Sequence, residues 1–411
     1  MSMQLEGAAE ARALIAAVRE CRAELADAGF AADRDNADPA EGLALLAGTG
    51  AARLAVPSAY GGLWDGTEHG GWGAVIRAVR EVSAGDGPTG QNWLTTVLVS
   101  RELFGPGSGL PEATRTELAR RILDEGLRLV SSSAESGVTG RTTVRPAEGG
   151  VVLSGTKSFN SNSGGRGMAL VRCLLEGDRT THQVLVDLEH PRVRLHDDWD
   201  NMGQRGTRSQ TVTYQDVFVP DGLHQPAGQF SPGFLGAAML LHAALMQGIG
   251  EGALDALVRH TRTMERGSLP QFATPADDPL ILRRIGALSS GLAASRALLH
   301  SAADQLEASG GAEESHDTGD TGDARSAGEL DAVIIECFRA KVASVEASLA
   351  AAAGIHEITG ARSTSNAYRY DRYWRNARTF ASHDPIDAKN VCIGGYELGN
   401  RLPPLSTIIR F

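Results

Sequence analysis

Residues 211–219, Thr211-Val212-Thr213-Tyr214-Gln215-Asp216-Val217-Phe218-Val219, alternate polar and apolar side chains as far as Gln215 and end in three β-prone apolar residues, a pattern typical of a half-buried β-strand. They close the stretch Leu129–Pro220, which is the only part of the chain with a strand pattern. Glycine pairs such as Gly149-Gly150 and Gly164-Gly165 separate its short β-rich runs. The pattern predicts a sheet inserted between two helical blocks, with further strands at Val151–Leu153, Met168–Leu175, Gln183–Leu188 and Val193–Leu195.

The apolar runs on both sides of this stretch have helical spacing. An amphipathic first helix is predicted in Leu5–Ala28, and after the sheet three long helices follow. Sustained apolar faces on several long helices are typical of a helical bundle. The predicted long helices run from about Phe234 to Met264, from Pro279 to about Glu307, and through Leu330–Leu349.

The segment Ala308–Gly328 differs from the helices on either side of it. It is rich in Gly, Ser, Thr and acidic residues, and few of its side chains could be buried. The composition predicts a solvated, mobile acidic loop.

Charge and cysteine content exclude several classes of protein. The 411 residues carry a formal net charge of −11, so no overall field attracts nucleic acid or an anionic membrane. The four cysteines are far apart and have no metal-ligand spacing, which predicts free thiols, a reducing compartment and no metal site. Glutamates interrupt Met1–Phe30, and no apolar run approaches a membrane span. A soluble cytoplasmic protein is expected.

One glycine motif has two possible interpretations, a dinucleotide-binding loop and close packing of helices. Gly248-Ile249-Gly250-Glu251-Gly252-Ala253 is similar to part of a dinucleotide fingerprint, but that fingerprint requires a preceding strand. Here the motif lies inside an apolar helical run, so close packing of helices is the favoured explanation. The sequence offers no other candidate loop for a nicotinamide cofactor.

Two polar loops interrupt the β-stretch. Gly155–Gly164 places hydroxyls and amides around Phe159, and Asp197–Ser209 places Trp199 among acids and glycines. Flat side chains and polar groups at strand ends suit a planar ligand with polar edges. The alternatives are an ordinary polar hairpin and a tryptophan that caps the β-core.

The segment Tyr368–Pro385 has the most unusual composition of the chain. Arginines recur every third residue from Arg369 to Arg378, which suits either a solvated face or a phosphate site. RNA binding is disfavoured because the chain is acidic overall. His383 stands where Asp384-Pro385 ends a helix, so its imidazole can reach a pocket.

These pieces together resemble the acyl-CoA dehydrogenase superfamily. The resemblance is carried by Val56-Pro57-x-x-Tyr60-Gly61-Gly62, Lys157-x-Phe159-x-Ser161-Asn162 and Gly203-Gln204-Arg205-Gly206-Thr207. It implies an α+β multidomain fold, with an α-helical N-domain (1–127), a middle β-barrel (128–224) and a C-terminal four-helix bundle (225–411). The 308–328 loop lies outside the resemblance.

Two segments are similar to one branch of that superfamily, the flavin-dependent monooxygenases. They are Asp197-Asp198-Trp199-Asp200-x-x-Gly203-Gln204-Arg205 and Trp374–Thr379 together with His383-Asp384-Pro385. The branch includes dibenzothiophene monooxygenase, sulfur-acquisition oxidoreductases and amino-sugar nitrososynthases. The resemblance implies reduced FMN or FAD supplied by a separate NAD(P)H:flavin reductase, and O₂ that forms a C4a-hydroperoxyflavin. The oxygen then passes to an S- or N-containing small molecule.

The resemblance also implies site residues. Ser161 would lie beside flavin N5 and act in catalysis with His383, a proton relay. Trp199 would wall the flavin, and Phe159 and Asn160 would also contact the cofactor.

Further assignments from the resemblance concern the flavin phosphate and the substrate. Arg266 and Arg362 are candidates for the phosphate across a subunit boundary, because such proteins are usually homotetramers. The substrate end is assigned to Asn92, Trp93, Ser131, Ser132, Ser133 and Asp384.

Two other functions remain open from the sequence. Dehydrogenases of the superfamily abstract an α-proton with a carboxylate, and Asp384 occupies the corresponding position, as in an acyl-CoA dehydrogenase or a nitroalkane oxidase. The third possibility is a scaffold or binding protein that kept the fold without the chemistry. A yellow protein as purified would favour the dehydrogenase, and a colourless one that uses reduced flavin would favour the monooxygenase.

Overall fold

The computed structural model describes residues 2–135, 141–177, 180–313, 323–399 and 401–407. Within these ranges, helices precede the sheet as the sequence predicts, and their ends follow local chemistry. The fifth helix begins where the Asp86 carboxylate accepts the Thr89 N–H at 2.9 Å, with Pro88 in the first turn. These helices are α1 (Ser2–Glu20), α2 (Arg22–Asp35), α3 (Ala40–Gly48), α4 (Trp72–Gly85), α5 (Gly87–Phe104) and α6 (Glu112–Glu125).

Among the described residues, the predicted β-stretch forms one eight-stranded sheet together with a short strand that follows it, His224–Pro226. The strand order is β6-β7-β3-β2-β4-β5-β8, and β1 pairs in parallel with β4. All five β-rich runs lie in these strands, so this prediction is confirmed. The strands are β1 (Arg128–Ser132), β2 (Thr143–Ala147), β3 (Gly150–Asn160), β4 (Gly167–Leu175), β5 (Thr181–Asp187), β6 (Val193–Leu195), β7 (Gln210–Pro220) and β8 (His224–Pro226).

Five further helices follow in the described ranges, and three of them are the predicted long ones. The final two are short, and the first of them lies within the segment of unusual composition, Tyr368–Pro385. The five are α7 (Pro232–Arg262), α8 (Pro279–Glu313), α9 (Asp323–Thr359), α10 (Asp371–Ala381) and α11 (Asp387–Glu397).

The predicted acidic loop at 308–328 is corrected at both ends. Helix α8 continues to Glu313 and α9 already begins at Asp323. No proline interrupts Ala308–Gly328, so backbone hydrogen bonding propagates past the last apolar residues. Residues 314–322 of the predicted loop lie outside the described residues.

Helix α7 is the central core element, and its glycines serve packing. Among the described helices it alone is long and apolar enough to cross a membrane, yet 94% of its most apolar window is buried inside the protein. A Cβ on Gly248 would lie 2.4 Å from the Arg80 carbonyl, and one on Gly252 would lie 2.4 Å from the Ala84 carbonyl. The packing interpretation of the 248–253 motif is therefore confirmed.

Helix α10 is fixed to the N-terminal helices by a buried carboxylate. Asp33 of α2, 2% exposed, accepts hydrogen bonds from Arg369 at 3.1 Å and from Arg375 at 2.7 and 2.9 Å. Burial opposes ionisation, but the two arginines hold the pKa of Asp33 below its ordinary value. Arg372 is also buried and donates to the Ala26 carbonyl at 3.1 Å. Three of the four periodic arginines thus hold the fold together, which argues against a phosphate-binding face.

The loop 197–209 docks on the same helix. A Cβ on Gly203 would lie 2.0 Å from the Arg375 carbonyl oxygen, so only glycine allows this approach of two backbones. The Gln204 N–H donates to Asn376 Oδ1 at 2.7 Å, and Arg375 donates to the Met202 carbonyl at 2.7 Å. These contacts bring the loop, α10 and α2 together at one side of a cavity.

Candidate active site

A cavity of about 820 Å³ lies between the sheet and the helices. Its walls come from α5, β1, β3, the 197–209 loop, α7 and the end of α10. Apolar and aromatic side chains form most of the surface, as in sites that bind small organic molecules. The apolar members include Leu94, Leu98, Phe159, Trp199, Phe230, Phe234 and Phe380.

Two aromatic residues form one wall. The ring of Phe159 meets Trp199 edge-on, with centroids 6.2 Å apart and an interplanar angle of 82°. Phe159 has a φ of +57°, because the pairing of β3 with β7 shifts register between Lys157 and Asn160. The left-handed conformation is unfavourable for an aromatic residue, and it leaves Phe159 63% exposed at the cavity. The Trp199 indole is fixed by donating to the Gln204 carbonyl at 2.9 Å.

A hydroxyl cluster adjoins this wall. Ser161 Oγ lies 2.7 Å from Ser209 Oγ and accepts a hydrogen bond from Gln91 Nε2 at 3.0 Å. Ser209 Oγ is in turn 2.7 Å from Thr207 Oγ1. Because Gln91 comes from α5, Ser161 from the end of β3 and Ser209 from the loop, the cluster joins three separate segments.

Several polar atoms of the lining are buried and lack hydrogen-bond partners among the described residues. They include both amide atoms of Gln204, the Gln91 Oε1, the Thr379 Oγ1 and the His242 Nδ1. Gln204 is only 1% exposed and has a φ of +51°. Buried polar groups in folded proteins are nearly always paired. This lining is therefore suited to a ligand that brings donors and acceptors of its own.

His383 lies in the cavity wall, as its position after the helix predicts. Its ring stacks on Phe380 at 5.6 Å and meets the His242 ring edge-on at 5.3 Å. The side chain stays accessible from the cavity, although protein surrounds it on its other sides. Burial and the nearby Lys341 lower the pKa of His383 to about 4, so its imidazole is neutral at pH 7. The pKa of His242 is lowered well below 6.5 by the same causes.

Asp384 lies outside the cavity lining, in a buried ion-pair cluster. It is 3% exposed, and its two carboxylate oxygens accept hydrogen bonds from Lys341 and Lys389. Burial opposes ionisation, yet the two ammonium groups keep the pKa of Asp384 below its ordinary value. Burial lowers the pKa of Lys341 to about 8 despite this carboxylate. A carboxylate in this state is a weak base and does not reach the cavity from its present position.

The periodicity of α5 and β1 explains which other predicted residues reach the cavity. Gln91, Leu94, Thr95 and Leu98 share one face of α5, so Asn92 and Trp93 face elsewhere. Asn92 donates to the Gly206 carbonyl at 3.4 Å and Trp93 packs in the helical core.

Alternation along β1 has the same effect on the three serines. Ser131 and Ser133 line the cavity, while Ser132 lies on the opposite face and donates to Asn160 Oδ1 at 2.6 Å. Asn160 is fully buried and also donates to the carbonyls of Lys157 and Gln210, so it ties β3 to β7 rather than lining the cavity.

The two predicted phosphate-binding arginines lie away from this cavity. Arg266 is exposed in the segment after α7, and Arg362 is exposed in the short turn Ala361–Thr364. The charge of Arg362 acts on His260, and burial together with that charge lowers the pKa of His260. At 1.5 Å per residue, His260 lies about 27 Å along α7 from His242. Neither Arg266 nor Arg362 lines the cavity within one chain.

Sequence interpretation missed several residues of the lining. Gln91 directly precedes Asn92, the residue that was predicted at the substrate end. Gln204 lies inside the motif Gly203–Thr207, but no role was predicted for it. Glu102, Arg172 and His242 come from α5, β4 and α7 and share no local motif. Of these residues, only Gln91 and Gln204 could have been predicted from the sequence, because they stand in or beside polar motifs.

Comparison with known proteins agrees with this architecture. Residues 240–388 match the family model described as acyl-CoA dehydrogenase, C-terminal domain. The chain is 30% identical over 377 residues to dibenzothiophene monooxygenase from Rhodococcus qingshengii, which covers 87% of this chain and 86% of that protein. It is 28% identical over 410 residues to the probable FMNH2-dependent monooxygenase SfnC of Pseudomonas putida, covering 95% and 96% of the two chains.

A solved structure is similar over nearly the whole length. TdsC from Paenibacillus sp. A11-2, crystallised with FMN and indole, matches with a TM-score of 0.82 and 21% identity. The match covers 95% of this chain and 98% of that chain. It shows an acyl-CoA dehydrogenase-like α+β fold, as the sequence predicts.

Proposed function

The chain belongs to the flavin-dependent monooxygenase family that contains dibenzothiophene monooxygenase, and we propose that it oxygenates a small S- or N-containing molecule in the 820 Å³ cavity. It is a two-component enzyme that uses reduced FMN or FAD and O₂. The observation that carries the proposal is a mainly apolar cavity whose lining includes buried amide atoms with no partner among the described residues, beside the neutral His383.

The residues of the cavity fit a flavin. The isoalloxazine ring is flat and has donors and acceptors along its edge, which match the aromatic wall, the Gln91 Oε1 atom and the Gln204 amide, all without partners among the described residues. Phe159 and Trp199 would hold the ring face, and Ser161 would bind its edge. Asn160 would act indirectly, by fixing the strand that carries Phe159 and Ser161. When bound, reduced flavin supplies the activation of O₂.

His383 and Ser161 are the proposed catalytic residues. A neutral imidazole in the wall can donate a proton at one ring nitrogen and accept one at the other, which a protonated ring cannot do. Ser161 Oγ, held by Gln91 and Ser209, can accept and donate within the same hydrogen-bond chain. Phe159, Trp199, Phe230, Phe234 and Phe380 exclude water from the space between them, which suppresses unproductive proton leakage.

The geometry gives no support to proton abstraction by Asp384. That carboxylate lies outside the lining and accepts from Lys341 and Lys389. Its role in the proposal is electrostatic, since it compensates two buried ammonium groups behind His383. Ser131 and Ser133 remain as polar residues at the substrate end.

Assembly into a homotetramer is part of the proposal. The phosphate of the flavin would be bound by Arg266 and Arg362 of another subunit, a role supported by their exposure and their absence from the lining of the cavity in the same chain. The three-domain layout, with a β-barrel between two helical domains, is proposed because helices change to strands between Glu125 and Arg128. Free cysteines suit a cytoplasmic location. Light scattering at micromolar concentration should give a mass well above one chain, and a stable monomer would contradict this assembly.

The decisive test is oxygen transfer from ¹⁸O₂. The protein would be supplied with FMN or FAD reduced by a separate NADH:flavin reductase and offered a panel of sulfides, sulfinates and amines. We expect one ¹⁸O atom in the product, detected by mass spectrometry, and no product with oxidised flavin. H₂O₂ release without labelled product from any member of the panel would contradict the proposed substrate class.

A further inference from the structure

A second cavity, of about 180 Å³, adjoins the first. The two share Glu102, Arg172, Phe230 and Phe234 as a common wall. The second cavity lies where the end of α5 meets β4, β5 and the residues before α7. None of the roles assigned above involves its remaining lining.

Arg101 is the unusual residue of this lining. It is 4% exposed, and its guanidinium carbon lies 3.9 Å from the ring centre of Trp64 and 4.2 Å from that of Trp72. Nη1 donates to the Gly70 carbonyl at 2.7 Å. Nε and Nη2 are buried and have no hydrogen-bond partner among the described residues. Two donors of one immobilised guanidinium group therefore lie at the second cavity without a partner among the described residues.

No carboxylate among the described residues is hydrogen-bonded to the Arg101 guanidinium. Burial lowers its pKa to about 9, and the charges of Asp65 and Glu307 oppose this shift, so it stays protonated at pH 7. Guanidinium donors in this state are suited to carboxylate and to other oxyanions.

The acidic residues of the second cavity already have partners. Glu102 accepts from Arg172 and from Gln183, both at 2.7 Å. Glu68 accepts from Ser231 Oγ. The same lining offers Gln225 and Gln229 as neutral polar groups. Because Glu102 is committed to Arg172 and Gln183, it does not meet the unpartnered donors of Arg101.

Arg172 connects the two cavities. It bonds to Glu102 through Nη2, and its guanidinium carbon lies 4.2 Å from the ring centre of Phe230. No other hydrogen bond of its side chain is formed within the described ranges, which leaves Nε and Nη1 for a ligand. We propose that the second cavity is an oxyanion subsite in which Arg101 and Arg172 hold the carboxylate, sulfinate or sulfonate group of a small acid.

The oxyanion has two possible sources. It is either the acidic end of a substrate whose reactive atom lies in the first cavity, which rests on the proposed function, or a separate small acid. The binding test requires neither flavin nor turnover, so its outcome is independent of the oxygenation assay.

The test is calorimetric titration of the full chain with methanesulfonate, sulfate and acetate, against chloride at equal ionic strength. Arg101→Lys keeps the charge between the two indoles and removes the forked donor set, and Arg101→Met removes the charge as well. Arg77→Lys is the matched control, since Arg77 pairs with Asp304 and lines neither cavity. We expect saturable binding of one anion per chain, at least 10-fold weaker in Arg101→Lys and unchanged in Arg77→Lys.

Absence of saturable binding to the parent would overturn the proposal, as would equal affinity in Arg101→Lys. If Arg101→Met does not fold, the comparison of Arg101→Lys with Arg77→Lys still tests the proposal. In the oxygenation assay, a saturating probe anion that raises KM for acidic but not for neutral substrates would assign the oxyanion to the substrate. An unchanged KM together with Arg101-dependent binding would assign it to a separate acid, and either result supports the subsite.

Discussion

Replacement of His383 by alanine tests whether this residue handles the proton, as proposed above. His383 lies in the wall with a neutral ring and a pKa near 4. A positioned acid–base group contributes about 10²–10⁴ to the rate, so His383→Ala should lower the oxygenation rate by that factor. Oxygen uptake should continue and appear as H₂O₂, because reduced flavin reacts without transferring oxygen to the substrate.

The fold should survive this change. The contacts of the ring are a stacked Phe380 at 5.6 Å and an edge-on His242 at 5.3 Å, while its hydrogen bond to the Phe380 carbonyl comes from the backbone. An aromatic pair contributes about 0.5–1.5 kcal/mol, so the loss of two pairs should lower the unfolding free energy by about 1–3 kcal/mol. The low pKa also predicts that the parent rate shows no step near pH 6.5 from this residue.

The assay pairs product formation with peroxide detection in one reaction, at equal oxygen uptake. His356→Ala is the control, because His356 lies at the far end of α9 beside Ser363 and outside both cavities. If His383→Ala oxygenates at the parent rate without extra H₂O₂, the residue is structural and the proposed role is wrong.

Three further changes probe the surroundings of the cavity. Asp384→Asn removes the anion shared by Lys341 and Lys389 and should lower the unfolding free energy by about 3–5 kcal/mol in denaturant titration; an unchanged midpoint would contradict the buried ion-pair assignment. The unfolding free energy of the parent should decrease as pH falls from about 6.5 toward 4.5, because His242 binds a proton in the unfolded chain but stays neutral in the folded protein. The decrease should reach up to about 1.4 kcal/mol per pH unit for each buried neutral histidine. His242→Gln should flatten that slope, and an equal slope would refute the assignment. Gly203→Ala should weaken flavin affinity and lower thermal stability, because its Cβ would lie 2.0 Å from the Arg375 carbonyl; fluorescence titration with parental affinity would show that the loop adapts freely.

Local patterns allowed much of the fold to be predicted. The alternation in 211–219 and the glycine pairs predicted strands, and helical spacing predicted α7, α8 and α9, because both signals depend only on neighbours in sequence. The end of α8 was placed too early, since apolar spacing stops at Leu306 while backbone hydrogen bonding continues to Glu313.

Residues of the cavity lining could be predicted only where they stand in a recognisable sequence motif. Ser161, Phe159, Trp199 and His383 stand in polar or aromatic motifs and all line the cavity. Whether Gln91, Asn92 or Trp93 faces the cavity depends on the rotation of α5 about its own axis. A sequence determines that rotation only loosely. The state of Asp384 depends on Lys341, 43 positions earlier in the chain, which no local pattern indicates.

The Asp33 contacts with Arg369 and Arg375 bear on how specificity can change in this family. They hold α10, and with it the loop that carries Trp199 and Gln204, on the N-terminal helices. Phe230 and Phe234 line the same cavity from the segment before α7 and from its first turn, outside this clamp. Under the proposed function, mutational libraries aimed at those two phenylalanines should therefore diversify substrate choice while the loop and α10 keep their positions on the N-terminal helices.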